Sequence, residues 1–353
     1  MGEKVLMKGN EAIAEAAIRA GCRYFFGYPI TPQSELPAYL ARKFPEVGGT
    51  FVQAESEVAA SNMIYGAAGA GARVLTSSSS PGISLKAEGI SYIAGAELPA
   101  VIINIMRGGP GLGSIQPSQA DYFQATKGMA HGDFRLTVLA PSTVQEAVDL
   151  TMEAFEIADR YRNPVLIVGD GIIGQMMEPV EFKEAVDPDE LPKKEWATDG
   201  AKGREPNVIN SLALEPQDLE DHNMKLKAKY DKMKEEEVRY EELYTDDADI
   251  IIVAYGTTAR ISSRAIEMAR KEGYKVGMIR PITLFPFPTD IISETADRVD
   301  DFLAVEMSTG QMVEDVRLAV NGKKPVHFYG RTGGVVPSPE EIVEKIKELG
   351  VEQ

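Results

Sequence analysis

Short apolar runs recur along the chain at residues 23–26, 50–54, 73–76, 100–105, 136–139 and 165–168. Each is too short for a helix, and all but 136–139 abut Gly, Pro or Ser, so each predicts a strand. Longer stretches with helical spacing lie between them. They predict helices over 11–20, 34–44, 56–70 and from the end of the Ser77–Gly82 segment to about Gly95, and a long amphipathic helix before the last strand. Strands alternating with helices imply a parallel, doubly wound α/β sheet. Asn10 and Gly21 stand where the first helix needs a cap and a stop. Ser34, Ser56 and Ser142 occupy the starts of later ones.

The pattern changes at Glu178. Prolines and charges dominate up to Asp218, and residues 225–243 read as a charged, solvated helical connector. Alternation restarts with strands at 250–254, 275–279, 302–305 and 326–328, followed by a helix over 340–349. There is no solenoid-type repeat.

One strand end carries more than connection. The run at 23–26 stops in Gly27-Tyr28-Pro29-Ile30-Thr31-Pro32-Gln33. Each proline disfavours helix in the residue before it. Thr31 is therefore held in a stiff turn at the carboxyl end of a strand, the edge where open α/β sheets bind ligands.

Composition removes several classes of function. The 353 residues are enough for two α/β domains. A net charge of −17 argues against nucleic-acid binding, which needs a basic footprint. No apolar run is long enough to span a bilayer, and no signal peptide is expected, which makes a cytoplasmic location the expectation. Cys22 is the only cysteine, so neither an internal disulfide nor a cysteine-ligated iron–sulfur cluster is expected from this chain alone. His131, His222 and His327 lack metal-ligand spacing, and no metal site is expected.

Three motifs invite chemistry and fail on detail. Gly108, Gly109, Gly111 and Gly113 resemble a phosphate cradle, but no Lys-Ser/Thr follows. The loop on through Gln116 and Asp121 reads as lining the mouth of a site. The serines at 77–80 before Pro81-Gly82 lack the spacing of a nucleophile elbow. Gly169-Asp170-Gly171 reads as a strand-end turn.

Tyr28-Pro-Ile-Thr-Pro32 resembles the motif in alpha subunits of the 2-oxoacid:ferredoxin oxidoreductases. Gly9-Asn10-Glu11-Ala12, Glu55-Ser56-Glu57 and Met106-Arg107-Gly108-Gly109-Pro110 fit in the same order. The resemblance runs over nearly the whole chain and is nearest to the VorB-type subunits, which act on branched-chain 2-oxoacids such as 3-methyl-2-oxobutanoate. It implies a pyrimidine-binding domain of a thiamin diphosphate enzyme at 1–180, a linker with a helix at 181–247, and a transketolase C-terminal-like α/β domain at 248–353.

The resemblance also assigns roles. Glu57 would be the carboxylate hydrogen-bonded to the aminopyrimidine ring, so that the exocyclic nitrogen serves as internal base. Glu55 is its local competitor, but Glu57 fits the Ser-Glu-x-x-Ala pattern better. Arg107 and Thr31 would hold the substrate carboxylate, a guanidinium being suited to a forked contact. Tyr28, Pro29, Ile30 and the turn Ser80-Pro81-Gly82 would pack against the cofactor, with Ser80 standing where the family has glycine.

Gly169-Asp170-Gly171 lacks the following Asn pair of a magnesium site. The diphosphate and its magnesium are therefore expected on a partner beta subunit. Gamma and ferredoxin-like delta subunits would carry the iron–sulfur clusters, ferredoxin would accept the electrons, and coenzyme A would take the acyl group. Two rivals remain: a 2-oxoglutarate enzyme of the same family, and a non-catalytic scaffold subunit. The loops at 28–35 and 107–121 carry no second cation for a distal carboxylate, which favours an apolar substrate.

Overall fold

A computed structural model describes residues 4–351. The first unit runs β1 (Val5–Lys8), α1 (Gly9–Arg19), β2 (Tyr24–Gly27), α2 (Glu35–Lys43), β3 (Thr50–Gln53), α3 (Glu57–Gly69), β4 (Val74–Ser78) and α4 (Pro81–Gly95). It continues through β5 (Ala100–Met106), α5 (Tyr122–Thr126), β6 (Thr137–Leu139), α6 (Val144–Tyr161), β7 (Pro164–Asp170), α7 (Gly171–Gln175) and β8 (Met177–Val180). After a long irregular stretch comes α8 (Pro216–Glu236). The second unit is β9 (Tyr240–Leu243), β10 (Ile250–Val253), α9 (Gly256–Lys271), β11 (Val276–Pro281), β12 (Thr283–Phe285), α10 (Thr289–Thr295), β13 (Asp301–Glu306), α11 (Met312–Val320), β14 (Val326–Gly330) and α12 (Pro339–Val351).

The main sheet has the order β12-β6-β7-β5-β4-β2-β3. Its strands are parallel except β12, which comes from the second unit and runs antiparallel to β6. The second sheet, β14-β13-β10-β11-β9, is parallel apart from β9. The α/β reading therefore holds. Four short strands lie outside the runs given above: β1 and β8, which pair with each other, then β9 and β12.

β5 is buried along its length and shows how the sheet serves two cores. Val101, Ile103 and Ile105 face the core under α1 and α6, and Ile102 and Met106 face the opposite one, as the two-residue period of a strand requires. That second core is continuous across the two units, joining Ile83, Ile102 and Val138 to Ile251, Val253 and Phe302.

Local expectations are corrected at four places. Asn10 does not cap α1. The helix starts at Gly9, and Asn10 lies buried in its first turn. Gly9 permits this, because a Cβ there would lie 1.8 Å from the Ile173 carbonyl oxygen. Ser34 precedes α2, but no side-chain cap bond forms, and its hydroxyl instead donates to the Ile30 carbonyl at 3.5 Å. The cap of α6 is Thr143, whose hydroxyl accepts from Glu146 N at 3.0 Å; Ser142 sits one residue outside. The connector is not simply solvated: Leu226, Tyr230 and Met233, spaced one turn apart, bury a stripe of α8 in the first unit's core, and residues 240–243 leave the helix for a strand. Ser56, by contrast, caps α3 as expected by accepting from Ala59 N at 3.1 Å, and Gly21 ends α1 in the left-handed region at φ +80.

Candidate active site

β2, β4 and β5 are neighbours in the sheet, and their carboxyl ends bring together the loops singled out in the sequence. From β2 comes the Tyr28–Thr31 turn, from β4 the serines, and from β5 the Arg107 loop. Glu57 arrives at the start of α3. A parallel sheet places all four at one edge.

The Thr31 turn is held from below and from the side. Pro32 O accepts from Asn10 Nδ2 at 2.9 Å and from Gln175 Nε2 at 3.1 Å, and both amides also reach Glu35. Gln33 is fully buried and accepts from Ser77 Oγ at 2.5 Å. Arg107 Nη1 donates to Thr31 O at 2.9 Å, and Nη2 to Leu112 O at 3.4 Å. The guanidinium thus joins the Thr31 turn to its own loop. Tyr28, Pro29 and Thr31 are exposed.

Glu57 is 6% exposed, at the first position of α3. Among the described residues no protein donor is hydrogen-bonded to its carboxylate. Glu55, its competitor, is exposed. α4 begins directly beside Glu57. A Cβ on Gly82 would lie 2.0 Å from Ser78 Oγ and 2.7 Å from Glu57 Oε1, so glycine is needed there.

Ser80 uses its hydroxyl to join three segments of the site. It accepts from Arg107 N at 3.0 Å and donates to Asp121 Oδ2 at 2.6 Å, while Ser80 N donates to Asn104 Oδ1 at 3.0 Å. Asn104 Nδ2 also donates to Asp121, at 2.9 Å. Asp121 is therefore not a mouth residue but an anchor. Burial pushes its carboxyl up, opposed by the Ser80 and Asn104 bonds. The far end of the loop is fixed by Gln119, which donates to Tyr255 O at 2.8 Å and accepts from Met307 N at 2.9 Å. The second unit thereby holds the Arg107 loop in place.

Gly169-Asp170-Gly171 forms the β7–α7 junction. Asp170 Oδ1 accepts from Ile172 N at 2.8 Å and Ile173 N at 3.2 Å, and burial pushes its carboxyl up. Among the described residues no group of three His, Cys, Asp or Glu side chains converges as a metal site. Cys22 is buried, and burial pushes its thiol up to about 12.

Ser78 Oγ, Ser79 Oγ, Gln33 Nε2 and Arg107 Nε are buried polar atoms without a protein partner, and all lie on these loops. Such atoms are costly unless bonded. With the unbonded Glu57 they gather at this edge polar groups that the chain's own contacts leave unsatisfied, which fits a polar ligand there. Sequence reading missed Asn10's true role, Gln33, Asn104, Gln119 and the buried Lys86. Asn104 carried a signal, as the one polar residue in the run Ala100–Met106.

Comparison with known proteins gives this arrangement a class. Residues 15–245 match the family described as pyruvate flavodoxin/ferredoxin oxidoreductase, thiamine diphosphate-binding, and residues 248–342 match pyruvate:ferredoxin oxidoreductase core domain II. The chain belongs to the 2-oxoacid:ferredoxin oxidoreductases, an oxidoreductase family whose members are multi-subunit enzymes.

Within that family it is 54% identical to the ketoisovalerate oxidoreductase subunit VorB of Methanothermobacter thermautotrophicus, over 98% of this chain and 97% of the relative. Identity to the 2-oxoglutarate synthase subunit KorA of the same organism is 35%, over 99% and 100%. A solved 2-oxoglutarate:ferredoxin oxidoreductase from Magnetococcus marinus, with 2-oxoglutarate, coenzyme A and succinyl-CoA bound, superposes with a TM-score of 0.86 at 26% identity. That match covers 98% of this chain, which spans 65% of the solved chain's length. Among the described residues no helix is long and apolar enough to cross a membrane.

Proposed function

We propose that this chain supplies the pyrimidine side of a thiamin diphosphate site in a cytoplasmic enzyme that oxidatively decarboxylates a branched-chain 2-oxoacid, with 3-methyl-2-oxobutanoate as substrate. Coenzyme A takes the acyl group and ferredoxin the electrons. The observation that carries the reading is Glu57: a buried carboxylate with no protein hydrogen bond, at the sheet edge beside the Thr31 and Arg107 loops. When bound, thiamin diphosphate supplies a nucleophilic carbon and an electron sink.

The chain's own residues bind, orient and exclude water. Glu57 accepts the hydrogen bond of the ring nitrogen and holds a proton there. Tyr28, Pro29, Ile30 and the Ser80-Pro81-Gly82 turn wall the ring. Arg107, with the Thr31 hydroxyl, positions the substrate carboxylate; beyond its bonds to the Thr31 and Leu112 carbonyls, each terminal nitrogen keeps a second N–H for that contact. Asp170 is engaged by two backbone N–H groups, which supports diphosphate and magnesium being held by a beta subunit. Gamma and delta subunits carry the iron–sulfur clusters, since Cys22 stands alone.

Arg107 is the only cation on residues 28–35 and 107–121, which favours an apolar acyl chain over 2-oxoglutarate. The test is ferredoxin reduction by the native complex with coenzyme A and a panel of 2-oxoacids. Highest kcat/KM on branched substrates supports the reading. Preference for 2-oxoglutarate contradicts it.

A further inference from the structure

One buried charge at this edge has no part in the roles above. α4 presents Gly82, Lys86 and Gly89 along one face, at i, i+4 and i+7. Both glycines meet α3: a Cβ on Gly82 would crowd Glu57, and one on Gly89 would lie 2.2 Å from Ser61 Oγ. Lys86 therefore emerges where the two helices are in closest contact, between Glu57 and Ser61. It is completely buried, and its ammonium donates to Thr76 Oγ1 at 2.9 Å. Thr76 Oγ1 in turn donates to Phe26 O at 2.6 Å, one residue before the Gly27 turn begins. On β4, Thr76 is two residues from Ser78, whose hydroxyl touches Gly82 beside Glu57. One strand repeat, about 7 Å, thus separates the lysine's anchor from Glu57's neighbour.

Lysine is almost never fully buried without a charged partner. Among the described residues the one charged group coupled to Lys86 is Glu57, whose charge opposes the downward pull of burial. β4 offers Thr76 and β2 the Phe26 carbonyl. The other charges near α4 are engaged elsewhere. Asp121 is bonded by Ser80 and Asn104, Arg107 by the Thr31 and Leu112 carbonyls, and Asp170 on β7 by Ile172 and Ile173. Glu88 faces solvent, where it accepts from Tyr92.

We propose that Lys86 is a positioning residue for Glu57: its ammonium, sealed between α3, α4 and β4, is the counter-charge that holds the Glu57 carboxylate in place beside Gly82. The inference rests on Glu57 being the group that accepts from the cofactor. Through Thr76 and Phe26 the same lysine ties α4 to the strand that carries the Thr31 turn.

An opposite charge nearby favours the ionised form of a carboxylate. Lys86→Met, which keeps the length and removes the charge, should therefore let Glu57 take up its proton at higher pH. Lys86→Gln retains a donor for Thr76 and carries the test if the methionine variant does not assemble. Thiamin diphosphate is titrated with magnesium into the cofactor-depleted complex by calorimetry across the pH range, and kcat/KM is taken in parallel. In the Lys86 variants the acid limb of both profiles should move up by about one pH unit, a tenfold change in proton affinity. In a Glu57→Gln background Lys86→Met should leave the pH dependence of binding unaltered.

Superimposable acid limbs for wild type and Lys86 variants would overturn the inference, as would an equal shift in the Glu57→Gln background. If Glu57→Gln is inactive and the Lys86 variants are silent to pH, only the inference falls. If Glu57→Gln turns over like wild type, the assignment of Glu57 falls and the inference with it.

Discussion

Arg107 Nη1 donates to the Thr31 backbone oxygen at 2.9 Å, across 76 positions of sequence. The contact ties the turn that carries Thr31 to the loop that carries Arg107, so one guanidinium holds the two together. Removing a forked, charge-assisted contact costs about 2 kcal/mol. Arg107→Ala should therefore raise the KM for the 2-oxoacid about thirtyfold. Arg107→Lys should raise it less, because an ammonium reaches one acceptor and not a fork. Steady-state assays of the complex decide this. Equal increases would show a simple point charge, and no increase would place Arg107 outside the substrate path.

Asn10 bonds Pro32 O and Glu35 from inside α1. Asn10→Ala leaves Pro32 O with Gln175 alone and should destabilise the chain by about 1–3 kcal/mol, measured by urea unfolding. The turn carrying Thr31 should loosen at the same time, seen as faster amide exchange over residues 28–33. Unchanged stability and exchange would make the Gly9-Asn10 motif irrelevant to the cleft.

Lys86 also sets a pH dependence of folding. Burial, opposed by Glu57, pulls its ammonium from 10.5 down to about 8. Between those values the unfolded chain holds a proton that the folded chain has released, so stability rises with pH across the window. The wild type should gain up to about 3 kcal/mol between pH 8 and 10.5 relative to Lys86→Met. Unfolding curves at a series of pH values test the sign. Parallel behaviour of the two proteins would mean that Lys86 titrates as it does in the unfolded chain.

The lone chain leaves Tyr28, Pro29 and Thr31 exposed, and Asp170 is engaged as a helix cap. Calorimetry on the isolated chain should therefore show no tight thiamin diphosphate binding, with binding appearing once the beta subunit and magnesium are present. Micromolar binding by the lone chain would make Gly169-Asp170-Gly171 a working diphosphate site.

Much of this was legible in residue order. The periodic runs gave the sheet strands to within a few residues, because a buried parallel strand must be a short apolar run between breaks. Short strands such as Tyr240–Leu243 and Thr283–Phe285 were not legible. Their pairing is fixed by neighbours distant in sequence, and Tyr240–Leu243 carries two glutamates. The stripe on α8 was hidden because Leu226, Tyr230 and Met233 are scattered among lysines and glutamates.

At the site, Thr31, Glu57 and Arg107 were found through motifs, and the structure brings their loops to one edge. Their supports were missed for a physical reason: Asn10, Gln33, Asn104 and Gln119 act through contacts between separate elements, which local spacing does not encode. Asn10 also looks like a helix cap in sequence, since asparagine at a helix start most often is one.

The account stands most directly on Glu57. The decisive measurement is ferredoxin reduction by the assembled complex carrying Glu57→Gln, with 3-methyl-2-oxobutanoate and coenzyme A, alongside calorimetry of thiamin diphosphate and circular dichroism. Amide for carboxylate keeps the shape and removes the proton-sharing group, which contributes about 10²–10⁴-fold in such roles. The account predicts a native spectrum, cofactor affinity within about tenfold of wild type, and turnover lower by about a hundredfold or more. Turnover close to wild type, with the cofactor bound, would contradict it and leave the chain as a scaffold.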